Sequence, residues 1–235
     1  MILAFDSTAK VASVALMQGE KVLAEYSLNC GLTQSELLLP MAEHCLASLH
    51  KDFSDVAAFA CTVGPGSFTG VRIGVATVKG LAFGKDVPCL EVSTLEALAE
   101  NLRGLRGLIV PCMDARRSQV YNALFLSDGN SLTRVTEDRA ISLDALAEEL
   151  KAYENQEIFL VGDGYDVARK HLTAMHVPLA STPTGLRDQR AASCAAVASR
   201  MLLEGRTRSD RELSPSYLRL PQAERERLEK ENANH

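Results

Sequence analysis

Residues 62–74 read Thr-Val-Gly-Pro-Gly-Ser-Phe-Thr-Gly-Val-Arg-Ile-Gly, a glycine-rich turn that follows an apolar run. Apolar residues at helical spacing continue from it, which predicts a helix over about residues 67–84. A helix start exposes backbone N–H groups that can bind an anion. The turn does not match the phosphate-binding pattern G-x-x-x-x-G-K-S/T, because no lysine follows it. Two interpretations therefore stay open: a phosphate cradle, or a helix whose glycines serve packing.

The strands and helices predicted around this turn come in the same order twice: strand, strand, strand, helix, strand, helix. The first copy consists of strands at 1–6, 10–17 and 21–28, a helix at 33–50, a strand at 56–63 and the helix at 67–84. The second copy consists of strands at 108–113, 120–126 and 132–136, a helix at 142–153, a strand at 157–161 and a helix ending near 175. The repeat predicts two lobes of one topology.

A duplicated βββαβα order predicts an α/β fold with a mixed sheet in each lobe. It resembles the two-lobe fold of actin, hexokinase and the 70-kDa heat-shock ATPases, which implies a nucleotide cleft between the lobes. We expect an N-terminal lobe at 1–105, a C-terminal lobe at 106–220 and a charged tail at 221–235. The sequence does not decide whether the last helix, near 190–204, packs on the first lobe or the second.

Composition excludes several classes of protein. The net charge is −5 and the pI is about 5.6, so the chain as a whole lacks the basic balance of proteins that grip nucleic acid alone. The six cysteines include no C-x-x-C pair, and the histidines include no H-x-x-x-H pair, so we expect no metal site and no other cofactor. No apolar run is long enough to span a bilayer, and no signal peptide is evident, so we expect a cytoplasmic protein without a membrane partner.

Strand-ending aspartates and paired glycines are the candidates for a cleft site. Asp6 and Asp114 each follow an apolar strand and precede a tight turn, where a carboxylate can hold a magnesium-bound phosphate. A hairpin-closing turn explains the same pattern. Two G-x-G turns also follow strands. The residues expected in a vestigial nucleotide cleft are Asp6, Ser7, Gly64, Gly66, Asp114, Gly162 and Gly164.

A catalytic nucleophile is poorly supported by the sequence. Ser7 and Ser67 lie in the candidate turns, but no histidine accompanies either of them in a motif, and G-x-S-x-G is absent.

The helix at 67–84 carries a narrow stripe of small residues, Gly70, Gly74 and Thr77. Glycine inside a helix costs about 0.5–1 kcal/mol relative to alanine, so such a stripe usually lets another backbone approach. The approaching backbone belongs either to the same lobe or to a partner protein, and both interpretations stay open at this point. The residues expected at a partner interface are Leu38, Met41, Cys45, Gly70, Ile73, Gly74, Thr77 and Leu81.

Five segments together resemble one family. They are residues 2–8 (Ile-Leu-Ala-Phe-Asp-Ser-Thr), 34–40 (Gln-Ser-Glu-Leu-Leu-Leu-Pro), 64–74, 113–117 (Met-Asp-Ala-Arg-Arg) and 215–219 (Pro-Ser-Tyr-Leu-Arg). In this order and spacing the chain resembles the bacterial TsaB family, also called YeaZ. The resemblance covers nearly the whole chain, and residues 64–74 are its most specific part.

The resemblance implies a non-catalytic partner that pairs with the TsaD-like paralogue, or with itself when alone, through the helices at 33–50 and 67–84. The complex, with a TsaE-like ATPase, places a threonylcarbamoyl group on the adenosine beside the anticodon of ANN-decoding tRNAs. It uses a threonylcarbamoyl-adenylate made by TsaC, and this chain would meet the tRNA only indirectly. TsaD-like chains carry a metal-binding histidine pair on their first helix, whereas this chain has Gln34 and Ser35 there.

Three expectations complete the sequence-based account. Gly74→Leu should abolish pairing and leave the monomer folded, and the isolated chain should bind ATP weakly or not at all. The alternative function is an ATP-dependent small-molecule kinase of the actin-like fold, although no base or complete adenosine pocket is evident. A free-standing peptidase is a third reading with little support.

Overall fold

The computed structural model describes residues 1–219, so the predicted tail at 221–235 lies outside the described residues. The first sheet has five strands in the order β3-β2-β1-β4-β5. They are β1 (Ile2–Asp6), β2 (Ala12–Gln18), β3 (Lys21–Leu28), β4 (Ala58–Gly64) and β5 (Cys89–Ser93). β1 pairs antiparallel with β2 and parallel with β4, so the carboxyl ends of β1 and β4 meet at one edge.

Helices cover both faces of this sheet because alternate strand residues on each face are apolar. On one face lie α1 (Gln34–Ala47) and α2 (Phe68–Ala82). A capping box between Thr33 and Glu36 begins α1, as predicted, and the helix continues through Pro40. On the other face lie α3 (Thr94–Glu100) and α6 (Ala191–Leu203), which pack on Ala4, Ala60 and Val92.

The second sheet repeats the strand pairing of β3, β2, β1 and β4, but its counterparts of β3 and β2 are each interrupted. Its elements are β6 (Arg106–Asp114), β7 (Gln119–Asn122), β8 (Phe125–Asp128), β9 (Leu132–Arg134), β10 (Arg139–Ser142) and β11 (Ile158–Val161). β7 and β8 pair with β6 in one continuous antiparallel register, from Asp114↔Val120 to Arg106↔Asp128. They are therefore two parts of one strand, and β9 and β10 flank it in the same way. β11 pairs parallel with β6, as β4 does with β1.

The remaining helices, α4 (Leu143–Leu150) and α5 (Tyr165–Ala174), pack on one face of the second sheet. The opposite face of that sheet packs on α3, so Leu95 and Leu98 share a core with Ile109 and Phe159. The predicted duplicated α/β fold with two lobes is confirmed by this order of elements. α3 joins the lobes because it contacts both sheets.

The predicted division of the chain needs one correction. β6 begins at Arg106, as the predicted boundary requires, but the second lobe does not extend to residue 220. α6 packs on the first sheet, and residues 208–217 follow it on the first lobe before Arg219 reaches the second. Arg208 pairs with Cys89 at the edge of β5, and Leu213 is buried in the first lobe's core. The first lobe is therefore built from both ends of the described chain.

Within residues 1–219, none of the helices is both long enough and apolar enough to cross a membrane.

Candidate functional site

A cleft of about 680 Å³ opens between the lobes at the carboxyl ends of β1, β4 and β6. The first lobe contributes the turn after β1 and the start of α2, and the second contributes the turn after β6 and Asp163. Of the seven predicted cleft residues, only Gly66 and Asp114 line it. The other five lie behind its walls, and their contacts explain why.

Asp6 is buried, and its carboxyl group is hydrogen-bonded within the turn after β1, behind the cleft. Its Oδ1 atom accepts hydrogen bonds from the Thr8 backbone N–H at 3.0 Å and the Thr8 hydroxyl at 2.7 Å. Burial raises the pKa of Asp6 above its ordinary value, although the bonds from Thr8 oppose the shift. The second oxygen, Oδ2, is buried near Thr62 without a hydrogen bond of normal geometry. Asp6 therefore closes the turn, as the alternative interpretation of the sequence held.

Ser7 is packed against the glycines of α2. Its hydroxyl donates to the Gly70 carbonyl oxygen at 2.8 Å. A Cβ atom at Gly70 would overlap the Ser7 carbonyl oxygen, and one at Gly74 would lie 2.7 Å from Ser7 Oγ. The small-residue stripe of α2 thus exists because the turn after β1 crosses it closely.

Other parts of this chain also occupy the space beside Gly64 and Gly66 in the stretch 62–74. A Cβ atom at Gly64 would overlap the Ser216 carbonyl oxygen, and one at Gly66 would lie 2.6 Å from the Thr8 carbonyl oxygen. The Ser67 backbone N–H donates to the same Thr8 oxygen at 2.7 Å. Close approach of other parts of the chain accounts for both glycines.

Gly162 and Gly164 play the corresponding part in the second lobe. A Cβ atom at either position would collide with the Cys112 carbonyl oxygen on β6, and the Gly164 N–H donates to that oxygen at 3.0 Å. Both G-x-G turns therefore dock a helix start on the neighbouring strand end, which extends the duplication to single residues.

Two carboxyl groups of the second lobe face the cleft. Asp114 accepts a hydrogen bond from the Arg116 backbone N–H at 2.8 Å, which closes the turn after β6. Burial raises the pKa of Asp163 to about 6, and the negative charge of Asp114 adds to the shift. The residue as a whole remains exposed to solvent at the cleft. Sequence reasoning missed Asp163, although it stands inside the second G-x-G turn.

A C-terminal strap, defined as residues 213–219, also lines the cleft and was not predicted as part of the site. The Ser216 N–H donates to the Val63 carbonyl oxygen at 2.7 Å. The Tyr217 ring stacks on Phe68 with 4.7 Å between centroids. Arg219 reaches the second lobe and donates to the Ala115 carbonyl oxygen and to Gln119. The Pro-Ser-Tyr-Leu-Arg motif was the sequence signal for this segment.

Groups for nucleophilic or metal chemistry do not converge in the part of the chain that the structure describes. Of its histidines none lines the cleft; His44 contacts Tyr26, and His171 bonds to Asp144. No three His, Cys, Asp or Glu side chains are grouped so that they can hold a metal ion.

Five of the eight residues predicted at the partner interface are buried within the chain itself. The side chains of Leu38, Met41 and Cys45 are at most 5% exposed because they pack on the first sheet. Gly70 and Gly74 are covered by the Ser7 turn. The other three predicted residues, Ile73, Thr77 and Leu81, are half-buried. The expectation for Gly74→Leu is corrected too, since leucine there would disturb the monomer itself.

Another stripe of α2 faces solvent. It consists of Thr69, Arg72, Ala76, Gly80 and Phe83, spaced at three or four residues. Phe83 is 76% exposed, and nothing lies within 4 Å of a Cβ atom built at Gly80. On α1, Leu39 is 41% exposed. We call the exposed sides of these two helices the α1–α2 face.

Comparisons with known proteins agree with one another. The protein-family model for TsaD, tRNA N6-adenosine threonylcarbamoyltransferase, matches residues 32–227. The Bacillus subtilis tRNA threonylcarbamoyladenosine biosynthesis protein TsaB is 33% identical over 233 residues, which cover 97% of this chain and 98% of that protein. The Escherichia coli protein of the same name is 32% identical over 227 residues, or 93% of this chain and 94% of that protein.

The fold also matches a solved structure. An uncharacterized protein from Pseudomonas aeruginosa, described as similar to peptidase YEAZ, has a TM-score of 0.75 at 24% identity. The match covers 93% of this chain and 99% of that chain, which shows a common fold.

Proposed function

Because the chain belongs to the TsaB family, whose members from two bacteria are named tRNA threonylcarbamoyladenosine biosynthesis proteins, we propose that it serves the same modification. Its role is that of a non-catalytic partner. It pairs through the α1–α2 face with a TsaD-like paralogue, which carries out the transfer to the adenosine beside the anticodon of ANN-decoding tRNAs. A TsaE-like ATPase joins the complex, and the tRNA is held mainly by the other subunits.

The observation that carries this proposal is the open space around Gly80 inside α2. A glycine inside a helix costs about 0.5–1 kcal/mol, and close approach of other atoms usually explains its presence. Gly70 and Gly74 have such an explanation within the chain, but no atom of the described residues lies close enough to Gly80 to provide one. Ala76 and exposed Phe83 lie on the same stripe. Small residues beside an exposed aromatic ring suit a helix of another protein.

The contacts around the cleft favour a non-catalytic role for this chain. Close approach of Thr8, Ser216 and Cys112 explains the glycines of the two turns, so the glycines themselves do not indicate a phosphate site. The Ser7 hydroxyl donates a hydrogen bond to the Gly70 carbonyl oxygen, and the Ser67 hydroxyl caps α2 by accepting one from the Gly70 N–H. Neither hydroxyl is therefore hydrogen-bonded to a general base. These contacts weigh against the kinase and peptidase alternatives.

A reconstituted modification assay tests the proposal. Purified chain, TsaD-like and TsaE-like proteins, threonylcarbamoyl-adenylate and an ANN-decoding tRNA are combined, and the modified adenosine is quantified. We expect Gly80→Leu to abolish the product and Asp114→Ala to leave it unchanged. Gly185→Leu is the control, because that glycine is also open to solvent but lies in a short 3-10 turn, Thr184–Leu186, away from α2 and next to Arg187, whose carbonyl oxygen accepts from the Gly162 N–H of the second lobe. Loss of product with Asp114→Ala alone would instead assign chemistry to the cleft.

A further inference from the structure

Arg72 is exposed on the α1–α2 face, and two aromatic side chains orient its guanidinium. Its guanidinium carbon lies 3.8 Å from the centroid of the Phe68 ring. Its Nε–H donates to the Tyr217 hydroxyl at 2.9 Å. Phe68 and Tyr217 stack on each other with 28° between their planes. The Nε–H is thus engaged, whereas neither terminal nitrogen donates a hydrogen bond to another residue within 1–219.

The strap keeps Tyr217 in this place. Leu213 is 1% exposed in the first lobe's core, and Lys79 of α2 donates to its carbonyl oxygen at 3.0 Å. Ser216 is bonded to β4, and Arg219 anchors the end of the strap on the second lobe. The tyrosine ring is therefore fixed from both sides along the chain, and it orients Arg72.

Arg72 makes no ion pair with a carboxylate anywhere in residues 1–219. Other arginines of that range do, among them Arg103, Arg134, Arg139, Arg190, Arg200, Arg206 and Arg208. A guanidinium that is oriented but uncompensated presents a planar pair of N–H donors that matches a carboxylate. Preorganisation lowers the entropy lost when such a pair forms.

We propose that Arg72 is a preformed receptor for a carboxylate side chain of the protein that docks on the α1–α2 face, and that Tyr217 is its positioning residue. This inference rests on the proposed function. It adds the chemistry of the contact: an Asp or Glu of the partner, on the surface facing the start of α2, accepts hydrogen bonds from both terminal nitrogens of Arg72.

A protein carboxylate fits this position better than an RNA phosphate. Arg72 belongs to the stripe that contains Ala76, Gly80 and Phe83, whose small and apolar side chains suit a protein surface. The neighbouring cleft is lined by basic groups (Lys10, Arg116 and Arg219) as well as by Asp114 and Asp163, so its charge does not single out a phosphate. Arginine is also enriched among the residues that dominate protein–protein affinity.

Titration calorimetry of the full-length chain with the TsaD-like paralogue of the same genome tests the inference. We expect Arg72→Ala to raise Kd about 30-fold or more. Arg72→Lys keeps the charge without the planar fork and should raise Kd about 10-fold. Tyr217→Phe keeps the stacked ring but removes the hydroxyl that orients Arg72, and an increase of about 3-fold or more is expected.

Arg169→Ala is the matched control. Arg169 lies on a helix and donates to a tyrosine hydroxyl, that of Tyr165, at 3.0 Å, but α5 is in the second lobe. Its removal should leave Kd unchanged. Thermal unfolding of every variant is recorded, and Tyr217→Phe keeps the test valid even if Arg72→Ala loosens the strap.

The outcomes separate the two proposals. If the unaltered chain pairs and all Arg72 and Tyr217 variants pair equally well, the receptor is refuted while the partner role stands. If the unaltered chain does not pair, the proposed function itself fails, and the inference fails with it. If the variants pair normally but the complex binds tRNA more weakly, Arg72 contacts a phosphate, which overturns the assignment to a protein carboxylate.

Discussion

The Ser7 hydroxyl donates a 2.8 Å hydrogen bond to the carbonyl oxygen of Gly70, and this contact joins the turn after β1 to the first turn of α2. The two segments are 63 residues apart in sequence, and their backbones touch only because Gly70 has no side chain. The glycine-rich run that dominates the sequence is therefore a packing device of the first lobe. The surface that we propose for a partner lies on the opposite, exposed side of the same helix.

Gly70→Ala should destabilise the monomer. The added methyl group collides with backbone atoms of Ser7, and overpacking of this kind costs about 1–3 kcal/mol or more in the free energy of unfolding. Gly80→Ala is the matched control, because open space surrounds that position and alanine favours a helix by about 0.5–1 kcal/mol. Urea unfolding of dilute protein measures both. Equal stability of the two variants would contradict the packing role of Gly70.

Leu213→Ala should destabilise the first lobe although it lies near the end of the described chain. Leu213 is 1% exposed in the core formed by α1, α2 and the first sheet, and loss of such a side chain costs about 2–5 kcal/mol. Leu203→Ala is the control, since Leu203 is 86% exposed and should change the free energy of unfolding by less than about 0.5 kcal/mol. If both substitutions were equally mild, the strap would not be an integral part of the lobe.

Asp163 should make stability depend on pH between about 4 and 6. Its pKa is raised from 3.8 to about 6 in the folded chain, so the folded state holds the proton more tightly than the unfolded state. Its contribution to stability is complete below pH 4 and is lost as the pH rises through 6. The free energy of unfolding of Asp163→Asn minus that of the unaltered chain should therefore increase over this window. A difference independent of pH would show that the carboxyl group titrates normally.

Magnesium-ATP should bind the isolated chain with a Kd no tighter than about 1 mM. The cleft has room for a nucleotide, but close approach of the chain's own backbone explains Gly66, Gly162 and Gly164, so these glycines do not indicate a phosphate site. The Asp6 carboxyl group is turned to Thr8. Calorimetric titration measures the affinity. A micromolar Kd would return Asp6 and Asp114 to the role of phosphate-site residues and revive the kinase alternative.

Sequence periodicity predicted the fold because each strand and helix buries a face of its own period. The tight turn after each strand-ending aspartate repeated in both lobes and identified the duplication. The position of α6 could not be predicted, because it is alanine-rich and buried, and nothing in such a helix indicates which sheet it covers. The stripe Gly70, Gly74 and Thr77 indicated a close approach, but spacing alone cannot say that the approaching atoms belong to Ser7.

The site was predicted less well for a related reason. The cleft wall depends on contacts between distant segments, such as Ser216 with Gly64 and Tyr217 with Phe68. Helical spacing predicted a contact surface on α2 but not which side of the helix the lobe would cover. The exposed stripe from Thr69 to Phe83 became evident only after the inner side was assigned.

Light scattering of the chain alone and mixed with its TsaD-like paralogue, at tens of micromolar, tests the central claim most directly. The account predicts that a self-dimer of the chain is replaced by a one-to-one complex, that Gly80→Leu prevents both, and that Gly185→Leu prevents neither. Failure of the unaltered chain to form any complex with the paralogue, or normal pairing by Gly80→Leu, would contradict it.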